Sequence, residues 1–130
     1  GDLTLPWGPQ HEMILFGMYV PSKQNREDGR GALSARLRAG SVLRVDRPNS
    51  RGVKAHPTEK PVELMRRLVE SSSGIDDVVL DMFAGSGSTL VAAILSGRKA
   101  IGAEVAAEHY ETALARCVAA EGLWRAGQEA

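Results

Sequence analysis

Asp81-Met82-Phe83-Ala84-Gly85-Ser86-Gly87-Ser88-Thr89 is the most chemically loaded stretch of this 130-residue chain, with a carboxylate, two glycines and three hydroxyls in nine residues. Glycines where a strand turns into a helix let the backbone approach a ligand closely, and open α/β sheets bind ligands beyond the carboxyl ends of their strands. A second carboxylate, Glu104, follows 23 residues after Asp81. At about that offset an acidic side chain can accept hydrogen bonds from both hydroxyls of a ribose. Ahead of both lies His56-Pro57-Thr58-Glu59-Lys60-Pro61, which gathers an imidazole, a hydroxyl, a carboxylate and a cation before a proline suited to the first turn of a helix.

Three cofactor classes compete for the turn. A phosphate-cradling loop needs lysine directly after its last glycine, and Ser88 follows Gly87. A dinucleotide fingerprint wants glycine three places after Gly87, where Leu90 stands. Asp81 discriminates most, because a carboxylate at the strand end repels a pyrophosphate and suits an ammonium group. S-adenosylmethionine carries an ammonium, a sulfonium and a ribose and no phosphate, so Asp81 and Glu104 together favour it. The bland alternative is a tight strand-to-helix turn with Asp81 as its cap.

The elements that must position these groups follow from periodicity. Pro61–Ser71 reads as an amphipathic helix, with Val62, Met65, Leu68 and Val69 at three- and four-residue spacing. Asp77–Asp81 reads as a buried strand, Ser88 to Leu95 as a helix stopped by Gly97, and Ala100–Glu104 as a second strand. A helix from Glu108 to Trp124 closes the series, with Tyr110, Leu114, Cys117 and Val118 on one face. This order predicts parallel strands joined by a right-handed crossover, which is part of an α/β, doubly wound, Rossmann-like sheet. Upstream, the apolar run His11–Val20 reads as a strand closed by Pro21, and residues 21–54 as a long loop region with a short helix near Ala32–Arg38 and an extended piece at Val42–Val45. Three segments result: 1–20 as strand and lead-in of the core, 21–54 as a basic loop, and 55–130 as the cofactor-binding half.

Composition narrows the class. A chain of this length suits one domain and can bury a core without disulfides or structural metal. Cys117 is the single cysteine and the three histidines make no zinc pattern, which argues against a disulfide scaffold and a zinc finger. His11 and Glu12 have no third ligand in sequence reach, so no metal site is expected. The longest apolar stretches fall far short of the ~20 residues of a membrane span, and no signal peptide opens the chain. A soluble, cytoplasmic protein is the expectation. Formal net charge is zero, with 16 basic and 16 acidic residues, but its distribution is uneven. Between Pro21 and Lys54 nine Lys and Arg residues face three acidic ones, a local charge of +6. Such a segment can neutralise phosphates or serve merely as a solvated loop.

Taken together, His56–Pro61, then Val79–Thr89, then Ile101-Gly102-Ala103-Glu104 and Tyr110 resemble the C-terminal part of the amino-group DNA methyltransferases, which modify adenine N6 or cytosine N4. The resemblance is close over 56–120 and loose over His11–Gly17. It implies that Asp81, Phe83, Gly85, Ser86 and Gly87 wrap the methionine and sulfonium side of S-adenosylmethionine and that Glu104 binds its ribose. It also implies that Thr58, Lys60 and Pro61 bring the start of a helix over the carboxylate end. The basic loop then falls at the family's target-recognition region, with Arg44, Arg47, Arg51 and Lys54 as the expected contacts to double-stranded DNA. Met82 replaces the family's usual proline and Ser88 its usual threonine; both departures are mild.

One departure is large. The family's catalytic tetrapeptide, Asp/Asn/Ser-Pro-Pro-aromatic, occurs nowhere in these residues. In the family the target base is flipped out of the duplex and this motif holds the amine for in-line attack on the sulfonium methyl. No catalytic residue is therefore assigned. In the family's permuted order the missing half precedes Gly1, in keeping with a chain that does not open on Met. The expectation is a DNA methyltransferase of exocyclic amines, adenine N6 ahead of cytosine N4, represented by its cofactor-binding part and inactive alone. The alternative is a non-catalytic half of a split or decayed enzyme, working with a second chain or upstream segment that carries the motif. A homodimer stays open.

Overall fold

The structure is a computed structural model and describes residues 13–15, 42–45 and 59–129. Residues 13–15 fall in a first unit, Gly1–Gly31, and the others in a second, Ala32–Ala130. The regular elements run α1 (Val62–Ser72), β1 (Val78–Asp81), α2 (Ser88–Leu95), β2 (Lys99–Gly102) and α3 (Ala107–Gln128). Pro61 opens α1 from just outside it, its carbonyl accepting from the Leu64 and Met65 amides at 3.0 and 3.2 Å. Losing its own N–H costs nothing there, since the first amides of a helix have no intrahelical acceptor. At the other end the Ser71, Ser72 and Ser73 hydroxyls take up the Leu68 and Val69 carbonyls, and Arg98 bonds the Ser73 carbonyl at 2.7 Å. The run of serines ends α1 by satisfying carbonyls that no further turn would reach.

β1 and β2 are parallel neighbours joined through α2, in the register Val78↔Lys99, Val79↔Ala100, Leu80↔Ile101 and Asp81↔Gly102. The ladder continues past Gly102, with the Ala103 amide on the Asp81 carbonyl and the Ala84 amide on the Ala103 carbonyl at 3.0 and 2.9 Å. These two bonds tie the glycine turn to the end of the neighbouring strand. α2 is the centre of the core. Leu90, Val91, Ala92 and Ala93 are buried along it, and α1, α3 and both strands pack against it.

Three features depart from the sequence reading. The strand read as buried exposes Val78 and Leu80, because α2 packs against β1 and leaves these two side chains outside. The Tyr110, Leu114 and Val118 stripe of α3 is exposed, and the helix packs through Ala113 and Ala120. The reason is spacing: a Cβ placed on Gly87 would stand 3.0 Å from the Ala113 Cβ, so the backbones approach too closely for large side chains. Met13, Ile14 and Leu15, in the middle of the run read as a strand, are exposed and lie in no strand; the rest of His11–Val20 lies outside the described residues. Extended backbone becomes a strand only when a neighbour takes up its amides and carbonyls, and among the described residues the sheet has two strands only. Val42–Val45 carries no regular secondary structure, and Ala32–Arg38 lies outside the described residues. The other boundaries agree within a few residues, β2 beginning at Lys99 and α3 reaching Gln128.

Candidate functional site

A cleft of about 250 Å³ opens where β1 ends, with Glu59, Lys60, Asp81, Phe83, Gly85 and Ser88 among its lining residues. Its floor is the glycine turn. Asp81 Oδ1 accepts from the Phe83 amide at 3.0 Å, which bends the chain out of the strand. The Gly87 amide then bonds the Ala84 carbonyl at 2.8 Å, and Gly85 (φ 52°) and Gly87 (φ 81°) occupy the left-handed region that other residues enter at a cost. Phe83 stands 90% exposed on the rim.

Three contacts brace the turn from behind. Glu104, just past β2, accepts from the Gly85 amide at 2.8 Å through Oε2 and from the Ala106 amide at 2.9 Å through Oε1. Those two amide bonds, Ala106 first and Gly85 second, hold its carboxyl below the usual carboxylate range. Gly87 rests on Ala113 of α3. Arg116, one turn further along α3, donates to the Ser86 carbonyl and hydroxyl at 2.7 and 2.8 Å and pairs with Glu59 at 2.8 Å. Cys117 beside it is half-buried, and burial pushes its thiol up, away from the reactive thiolate.

Ser88, at the start of α2, is 7% exposed, lines the cleft, and its hydroxyl has no hydrogen-bond partner. A buried hydroxyl left unpaired costs free energy, which sets this one apart among the described residues. Thr89 also lines the cleft, its hydroxyl 3.6 Å from the Met65 sulfur of α1.

Of the residues singled out by sequence, Lys60, Asp81, Phe83, Gly85 and Ser86 line the cleft together. Pro61 starts α1 beside it, Gly87 lies beneath it against α3, and Glu104 stands behind the turn. Arg44 is exposed and in no regular element; Thr58, Arg47, Arg51 and Lys54 lie outside the described residues. Sequence reasoning passed over Glu59, Ser88 and Arg116. Arg116 carries a usable signal, lying three residues after Ala113 and four before Ala120 on the packed face of α3. No group of three metal-ligating side chains occurs among the described residues, and none of the described helices is long and apolar enough to cross a membrane.

Known proteins resemble this chain in sequence and fold. The family described as DNA methylase, the N6/N4 methyltransferases, matches residues 8–115. The DNA adenine methyltransferase YhdJ of Escherichia coli K12 is 49% identical over 61 residues, 47% of this chain and 21% of that protein. The type II methyltransferase M2.MboI of Moraxella bovis is 46% identical over 56 residues, 43% of this chain and 20% of that protein. In structure, the M1.HpyAVI–SAM complex superposes with a TM-score of 0.53 at 34% identity, over 62% of this chain and 41% of that one. The chain thus spans between a fifth and a third of the curated relatives it matches. The two parallel strands and three helices of the described residues form part of a Rossmann-like methyltransferase fold, and with the match extending over most of its length the chain belongs to the N6/N4 DNA methylase family.

Proposed function

We propose that the chain binds S-adenosylmethionine in the Asp81–Ser88 cleft, as the cofactor-binding part of a DNA methyltransferase of exocyclic amines, adenine N6 ahead of cytosine N4. The observation that carries this reading is the orphaned, buried Ser88 hydroxyl in the same cleft as the Asp81 carboxylate. A cationic ligand with further polar atoms fits that pair, and a pyrophosphate does not. Two relatives add support: one named as an adenine methyltransferase, and a neighbour solved with S-adenosylmethionine.

When bound, the cofactor supplies a methyl group made electrophilic by its sulfonium. The chain's own residues bind and orient. Asp81 takes the ammonium and Ser88 gives its unpaired hydroxyl to the ligand. Glu104 keeps acceptor capacity for ribose hydroxyls, since a carboxylate has about four lone-pair sites and amides occupy two. The basic 21–54 segment contacts duplex phosphates through Arg44, Arg47, Arg51 and Lys54. None of these groups accepts hydrogens from a target amine, so methyl transfer depends on the tetrapeptide these residues lack.

Calorimetric titration of S-adenosylmethionine tests the cofactor assignment. Asp81→Ala removes a charged partner worth about 1.5–3 kcal/mol and should weaken binding by roughly ten- to a hundredfold; equal heats from both proteins would remove it. A second reading, a non-catalytic half acting beside another polypeptide, is favoured by Val78, Leu80 and Ile101, which lie exposed on one face of the sheet. A separate neighbouring gene encoding an Asp-Pro-Pro-Tyr-like motif would support that reading. The same motif in frame directly upstream would refute it.

A further inference from the structure

Arg116 joins three parts of the site: α3, the glycine turn and the residues that open α1. One terminal nitrogen, Nη1, holds both oxygens of Ser86, and the other, Nη2, holds Glu59 Oε1. The pair is mostly withdrawn from solvent, with the Arg116 and Glu59 side chains 25% and 22% exposed. Ser86 itself is 5% exposed. Glu59 and Asp81 both line the cleft, and only Glu59 has a cation on it among the pairs formed by the described residues.

That asymmetry has an electrostatic consequence. Two uncompensated carboxylates would repel any ligand carrying a carboxylate of its own. With Glu59 neutralised by Arg116 and with the Lys60 cation also in the lining, the cleft keeps its net negative charge at the Asp81 end. A ligand bearing an ammonium and a carboxylate on one carbon then has a preferred direction. We propose that Arg116 is a positioning residue that fixes the glycine turn against Glu59 and masks the Glu59 charge, so that the cleft selects and orients the α-amino-acid end of the nucleoside ligand. The inference rests on the cofactor reading above, yet part of it is observable without any ligand.

The test compares two nucleosides on the full 130-residue chain: S-adenosylhomocysteine, which has the amino-acid group, and 5′-methylthioadenosine, which lacks it. Arg116→Met should weaken S-adenosylhomocysteine by about tenfold or more, the scale of a charge-assisted contact, and leave 5′-methylthioadenosine within about threefold, under 1 kcal/mol. Adding Glu59→Gln to Arg116→Met removes the exposed charge and should restore part of the loss. A purely structural brace would weaken both ligands alike and show no rescue, which would overturn the selectivity. Arg116→Lys keeps the cation and guards against a variant that fails to fold; it should retain the preference for S-adenosylhomocysteine, and losing it would refute the charge-masking role. Without ligand, amide exchange over Gly85–Ser88 should quicken in Arg116→Met while that of β1 stays unchanged. Unaltered exchange in the turn would overturn the positioning role. Wild-type protein that binds neither nucleoside would overturn the cofactor reading and the selectivity with it, leaving the exchange result to decide the brace by itself.

Discussion

Glu104 shows how a single side chain can be legible in type and hidden in action. Its distance from Asp81 marks it as a ribose acceptor, whereas in the folded chain its first partners are the Ala106 and Gly85 amides. No spacing rule shows that, because the bond to Gly85 depends on where the strand ends meet. The carboxyl titrates below its usual range in the folded state. A group with a depressed folded value adds stability above its unfolded pKa and loses it as pH falls through the folded one. The brace on the turn should therefore persist through the ordinary carboxylate range and fail only on stronger acidification. Glu104→Gln offers Gly85 one neutral oxygen and turns an N–H₂ donor toward the other amide. Acid unfolding followed by circular dichroism should show a less stable protein at neutral pH, with the difference narrowing as pH falls. A constant difference across that range would contradict this account.

At the scale of elements, the glycine turn and both strands were readable because each has a local signature: a β-rich run, a left-handed turn filled by glycine, and a helix that starts at once. α3 was readable as a helix and misread as a surface. Its large apolar residues, Tyr110, Leu114 and Val118, draw attention by size, while the face that packs is built from Ala113 and Ala120. Hydropathy ranks alanine low, yet close approach to Gly87 admits nothing larger. Ala113→Leu should therefore overpack the contact and cost about 1–3 kcal/mol. Val118→Ala, at a residue 63% exposed, should stay within about 0.5 kcal/mol. Urea denaturation of both variants decides the matter; the opposite ranking would place the buried face where hydropathy suggests.

For the whole molecule, the zero net charge conceals a division of labour. The +6 segment at Pro21–Lys54 suits a polyanion, and the acidic remainder includes the carboxylates around the cleft. Most of that segment lies outside the described residues, so its role rests on charge and on its place in the order of motifs. The Pro-Pro-aromatic motif that would hold a base's amine is missing from these 130 residues. Binding and chemistry should therefore separate in one experiment with duplex DNA and methyl-labelled S-adenosylmethionine. The chain should retard DNA at low salt, and four phosphate contacts from Arg44, Arg47, Arg51 and Lys54 would give a log–log salt slope near about −3.6. Changing all four to serine should abolish retardation, and unchanged binding would refute their assignment. No label should enter the DNA in either case. Label in the DNA would mean that these residues hold and activate the amine by themselves, and the division between a cofactor-binding part and a separate catalytic part would fall.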